Sequence, residues 1–124
     1  MSLLTALTSN RAFTDPAAED PHLRGRTYPI PFARVWEAVL EVARTRRGWS
    51  VVETHPARGE LQAEARTLLW RFTDDVWVRV SLDASGLTRV DVTSTSRTGR
   101  ADLGVNARRI ARFLHALDRQ LRNA

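Results

Sequence analysis

The sequence predicts an α+β fold: an antiparallel sheet with both helices packed on one face, an open sheet of the helix-grip kind. Three segments alternate apolar and polar residues, the period of a strand with one buried face. Two segments repeat apolar residues at steps of three and four, one near the start and one at the end. The resulting order is β-α-β-β-β-β-α. Strands that follow one another without intervening helices pair as antiparallel neighbours and leave one face free for both helices.

The first strand is Arg26–Ile30, held to a sheet edge by Pro29 and Pro31. Phe32, Val35, Trp36, Val39, Leu40 and Ala43 then form one side of a helix from Phe32 to Arg46, and Gly48 is its stop. Trp49–Thr54 is a strand, followed by the turn His55-Pro56-Ala57-Arg58-Gly59. Glu60–Arg66 puts Leu61, Ala63 and Ala65 on one side and Glu60, Gln62, Glu64 and Arg66 on the other. Leu68–Phe72 is open between strand and loop.

Val76, Val78, Val80 and Leu82 alternate with Trp77, Arg79 and Ser81; Val90 and Val92 alternate with Arg89, Asp91 and Thr93. Gly86 suits a three-residue Ala84–Gly86 loop with a bulge between them. That register sets Val78 opposite Val92 on the core face. It sets Arg79 opposite Asp91, Trp77 opposite Thr93 and Asp75 opposite Thr95 on the other. The last helix runs from Leu103 to Leu121, with Leu103, Ala107, Ile110, Leu114, Leu117 and Leu121 as its apolar stripe. Arg108, Arg112, His115, Arg119 and Arg122 line its far side.

A chain of 124 residues is one domain by size. Residues 1–25, with turns at Asp15-Pro16 and Asp20-Pro21, read as an extended arm, and Leu3–Leu7 has room for one helical turn. Residues 26–124 read as a single α+β domain. Cysteine is absent, which excludes disulfides and thiolate metal sites. All 19 basic residues are arginine, so Schiff-base chemistry by a lysine is excluded. The net charge of +5 resides in the last 28 residues, where seven arginines face only Asp102 and Asp118. The apolar start MSLLTAL is too short for a signal segment or a membrane span. A cytoplasmic protein is expected.

The densest polar constellation is Asp74, Asp75, Arg79, Arg97, Asp102, Asn106 and Arg109. Asp102 stands where a helix N-cap belongs, and Gly104 opens the first turn to close approach. One reading is a polar ligand site at the helix start, with Arg97 and Arg109 holding an anion. The other is a structural network that ties the hairpin to the helix through Arg97. Adjacent Asp74 and Asp75 point to opposite faces of a strand, so they are not a catalytic pair by themselves. Pairing with Arg79 and Arg97 is expected.

No cofactor or metal is expected. His22, His55 and His115 have no zinc spacing, and no Walker loop, dinucleotide glycine motif or nucleophile elbow is present. The basic stripe of the last helix is the only feature that speaks for nucleic acid, and no recognition motif accompanies it. Trp36 and Trp49 read as core. Trp77 falls on the face without helices, where a large ring needs a covering arm, loop or partner. These features favour a non-enzymatic binding or structural module, with a small-ligand pocket or a protein-contact sheet face. An enzyme using Asp75, Arg97, Asp102 and Asn106 is the competing class.

The stretches FTDDVWVRV (Phe72–Val80) and RVDVTSTSRTGRADLGVNARRI (Arg89–Ile110), with GWSVVETHPARGELQAEART (Gly48–Thr67) upstream, resemble the bacterial domain-of-unknown-function family 1499. The specific part is Asp74-Asp75, Arg79 and the run Ser96-Arg97-x-Gly99-x-x-Asp102-x-Gly104-x-Asn106-x-x-Arg109-Ile110. The resemblance spans Leu23 to Leu121. It implies a shared fold and a shared polar seam without an activity. It also implies relatives with a membrane or export segment, which this chain does not display.

Overall fold

The computed structural model describes residues 10–67, 72–97 and 104–122. Its elements are β1 (Arg11–Phe13), β2 (Arg26–Tyr28), α1 (Phe32–Thr45), β3 (Trp49–His55), β4 (Glu60–Arg66), β5 (Thr73–Leu82), β6 (Thr88–Ser96) and α2 (Val105–Arg122). Single 3-10 turns occupy Pro21–Leu23 and Pro56–Arg58. The strands form one antiparallel sheet in the order β1-β6-β5-β4-β3, and β2 joins the same edge of β6 as β1.

The expected order lacks β1. This strand is three residues long, too short for periodicity to mark, and only Ala12 of the three faces the core. The stretch expected as an extended arm thus supplies an edge strand and, through Leu23, a buried side chain. The Leu3–Leu7 turn, Trp70, Arg100, Asp102 and Leu103 lie outside the described residues.

The β5–β6 register is the expected one: Val78 pairs with Val92, Arg79 with Asp91, Trp77 with Thr93 and Asp75 with Thr95. The loop between them closes through Asp83 N–H to Leu87 O at 2.9 Å and Gly86 N–H to Asp83 O at 3.0 Å. Gly86 takes φ +80°, the left-handed conformation this bulged turn requires. Gly59 closes the β3–β4 hairpin at φ +66°, where any Cβ would run into the Val80 carbonyl oxygen.

Both helices cover one face of the sheet. Leu61, Ala63 and Ala65 of β4, Val76, Val78 and Val80 of β5, and Val90 and Val92 of β6 are all buried there. They meet Val35, Trp36, Val39 and Ala43 of α1, and Ile110, Phe113, Leu114, Leu117 and Leu121 of α2. Phe113 falls outside the expected stripe. It sits beside Leu114 on the helix and stacks on Trp49, with ring centroids 5.2 Å apart and planes at 4°. The arginines at 108, 112, 119 and 122 are exposed. A bulge at Val52 interrupts the β3–β4 register and leaves that side chain 54% exposed.

A polar clamp fastens β2 to α2. The Tyr28 hydroxyl donates to Asp118 Oδ1 at 2.6 Å, and Arg26 Nε donates to the same carboxylate at 3.0 and 3.2 Å. Burial first, and the bond to Asp118 second, push the Tyr28 phenol well above its ordinary pKa, with Arg26 opposing.

Two outcomes are expected. Leu117→Ala will cost about 2–5 kcal/mol in denaturant unfolding, the range for a fully buried leucine. Tyr28 is the only tyrosine, so absorbance near 295 nm reads its ionisation alone. Because its folded pKa is raised, its stabilisation is complete below the ordinary value of about 10 and is lost as pH climbs above it. The phenolate signal should therefore appear near the ordinary pKa in denaturant and at clearly higher pH in the folded protein.

Candidate functional site

The polar residues that the sequence gathers into one seam are divided by the sheet. Strand alternation sends Asp74 to the helix-covered face and Asp75 to the open one. Asp74 is 2% exposed, and its carboxylate accepts from Arg109 Nη1 of α2 at 2.8 Å. Arg109 Nη1 also lies 3.1 Å from Ser94 Oγ and 2.8 Å from Asn106 Oδ1. Asn106, one turn earlier on α2, is 1% exposed and uses both ends of its amide. Its oxygen accepts from Ser94 Oγ at 2.6 Å. Its nitrogen donates to Ser96 Oγ at 3.0 Å and to the Asn10 carbonyl at 3.1 Å.

The inner cluster is therefore one network of Asp74, Ser94, Ser96, Asn106 and Arg109. It replaces the valines of β5 and β6 where these strands pass under the start of α2. Among the described residues no buried side-chain nitrogen or oxygen lacks a partner. Gly104, at φ +83°, turns the chain into α2, a backbone state that glycine enters without Cβ strain. The polar constellation expected from the sequence includes Asp74, Asn106 and Arg109 but not Ser94, and Ser96 enters there only as the start of the family-like run. Two serines facing inward at alternate positions, directly after Val90 and Val92, are the signal that marks them.

On the open face Arg97 makes a two-pronged contact with Asp75, Nε to Oδ2 at 3.0 Å and Nη2 to Oδ1 at 2.9 Å. The same Nη2 donates to Glu64 Oε1 at 2.8 Å. The bonds to Asp75 and then to Glu64 hold the guanidinium proton more firmly than usual. Asp75 and Arg97 meet as the register requires. Among the described residues the tie between hairpin and helix is Arg109, while Arg97 projects from the face opposite α2; its expected reach to Asp102 lies outside the described residues. Arg79 pairs with neither aspartate. It lies four residues from Asp75 along the strand, a run of about 13 Å, too far for a direct contact.

Arg79 instead lies in a groove of about 360 Å³ on the open face. The groove is lined by Trp77 and Arg79 of β5, Glu60 and Gln62 of β4, Glu53 and His55 of β3, and Asp91 and Thr93 of β6. His55 Nε2 lies 2.8 Å from Glu53. Asp91 is held by Arg89 at 2.9 and 3.0 Å and by the Thr14 hydroxyl at 2.7 Å. Among the described residues Arg79 has no ion pair. Trp77 is 44% exposed, and Phe13 of β1, on the same cross-strand row through Thr93, is 43% exposed. No group of three or more His, Asp or Glu suited to a metal ion occurs among the described residues. None of the described helices is long and apolar enough to cross a membrane.

The two networks should differ sharply when broken. Asp74→Leu leaves Arg109 buried without its carboxylate and should cost about 3–5 kcal/mol, whereas Asp74→Leu with Arg109→Met should recover most of that. Arg97→Leu, on an exposed pair, should leave stability close to that of the parent. Denaturant unfolding of the parent and these three variants checks this.

Among solved structures, CalU16 from Micromonospora echinospora is similar at 17% identity and a TM-score of 0.49, over 88% of this chain and 85% of that one. Comparison with curated proteins finds no match. The family model described as protein of unknown function DUF1499 matches residues 2–117, nearly the whole chain, and the chain belongs to that family.

Proposed function

We propose that the chain is a non-catalytic binding module whose open sheet face, around Trp77 and Arg79, contacts a protein partner. The observation that carries this reading is the exposure of Trp77 on the sheet face that neither α1 nor α2 covers. A large ring half in water beside a second one is the kind of exposed apolar surface that contact sites use. Phe13 and Trp77 are two strands apart on one row, a separation of about 10 Å. A flat macromolecular surface spans that distance more readily than a compact ligand does. Arg79 beside Trp77 adds a guanidinium with unused donors, and tryptophan and arginine are the residues that dominate contact energies.

The helix-covered side offers less. Among the described residues its apolar side chains form one buried cluster, and its buried polar side chains all have partners. The catalytic alternative needs Asp75 and Arg97 to converge with Asn106, yet the sheet lies between them.

Native mass spectrometry of the protein purified from its host tests the proposal. The parent should carry a companion protein or a second copy. Trp77→Ala should lose it with unchanged thermal stability, an affinity loss of roughly thirtyfold or more for a central ring. A parent that is a bare monomer, or a companion retained by Trp77→Ala, would count against the open face.

A further inference from the structure

Each carboxylate that lines the open-face groove already has a basic neighbour. Glu53 lies 2.8 Å from His55, Glu60 lies 3.9 Å from Arg58, and Asp91 lies 2.9 Å from Arg89. The Thr14 hydroxyl donates to Asp91 as well, at 2.7 Å. The ladder sets Arg79 between two of these acids, opposite Glu60 on β4 and opposite Asp91 on β6. Both lie nearer another arginine, and the Arg79 guanidinium has no ion pair or hydrogen bond among the described residues. Arg79 is thus the surplus cation of a groove of about 360 Å³.

An exposed guanidinium is satisfied by water and needs no internal partner. Covering the groove removes that water, and a covered cation without an acceptor costs the complex free energy. The acids of the groove are committed, so the acceptor has to arrive with whatever covers it. A carboxylate matches the fork of a guanidinium in both shape and charge. The spacing is set as well. Trp77 and Arg79 leave the same face of β5 two residues apart, about 7 Å, which is also the distance from residue i to i+2 in an extended chain. A chain terminus is usually captured by a nest of backbone N–H groups. Here β4 and β5 are paired on both sides, which leaves side-chain donors for the task. We propose that the open face recognises an extended acidic segment of a partner protein. An apolar side chain of the segment lies on Trp77, and an aspartate or glutamate two residues along is held by Arg79. This rests on the reading of the open face as a contact surface and adds the chemistry of the partner.

The test uses the full chain and two probes, acetyl-Phe-Thr-Asp-amide and acetyl-Phe-Thr-Asn-amide, followed by the Trp77 indole N–H and Arg79 Nε–H resonances. The aspartate peptide should shift both resonances and bind about threefold tighter than its asparagine twin, as one exposed charge pair allows. Added sodium chloride should narrow that difference. Arg79→Gln, a change at an exposed position, should bind the two peptides equally. Arg119→Gln loses the same charge on α2, behind the sheet, and should keep the difference. Trp77→Ala should weaken both peptides. Equal binding by the parent, a difference that survives Arg79→Gln, or one that vanishes in Arg119→Gln would overturn the acidic segment. If Trp77→Ala still weakens both peptides in any of those cases, the contact surface stands and only its partner chemistry falls. Failure of either peptide to shift Trp77 and Arg79 would overturn the acidic segment too, and native mass spectrometry then decides on the open face by itself.

Discussion

A buried ion pair has to be complete to be tolerated, and the pairing of Asp74 with Arg109 sets the terms for everything around it. Taking both charges out of water costs more than their attraction returns unless the remaining donors and acceptors are also met. Ser94, Ser96 and Asn106 meet them. The consequence is orientation. A valine packs against many neighbours almost equally well, but Asn106 fits only where two serines and the Asn10 carbonyl wait for it. The network therefore fixes the rotation of α2 over β5 and β6 and fastens the N-terminal segment beside them. The apolar stripe of Ile110, Phe113, Leu114 and Leu117 supplies the stability, and the polar patch supplies the alignment.

The sheet then acts as a partition. Residues adjacent in sequence are assigned to different surroundings by the pleat: Asp74 goes to the sealed side and Asp75 to the wet one. The same alternation that places Val76, Val78 and Val80 in the core places Trp77 and Arg79 outside it. A cluster that looks continuous along the chain is in space two unlike sites. One is saturated with partners. The other is open, with a ring and a cation still available for contact.

Much of this is legible in the sequence because it depends on short-range periodicity. The two-residue period of Val76–Leu82 and Val90–Val92, with Gly86 in the loop, sets the β5–β6 register and hence the meeting of Asp75 with Arg97. The steps of three and four locate α1 and the buried side of α2. What escapes depends on distant partners. Asn10 and Asn106 are 96 positions apart and Tyr28 and Asp118 are 90 apart, and no local pattern connects them. β1 is too short to show a period. Phe113 widens an apolar stripe that is already continuous without it, and Ser94 and Ser96 read as polar strand residues until the helix above them is known. Arg79 misleads because spacing along a strand is longer than spacing along the printed sequence suggests.

The edge of β6 has a consequence for how the molecule is made. Its two partners on that side, β1 and β2, precede β3, β4 and β5 in the chain, and β6 follows them. During synthesis the early strands have nothing to pair with until some 60 to 80 residues more have been added, a long loop to close before any ladder bond forms. The three-stranded meander of β3, β4 and β5 can assemble as it emerges. β1 and β2 can make their ladder bonds only after β6 has been made. The newborn chain accordingly passes through a stage in which β6 has an open flank, and the speed at which β1 and β2 dock sets how long the flank is exposed to other nascent chains.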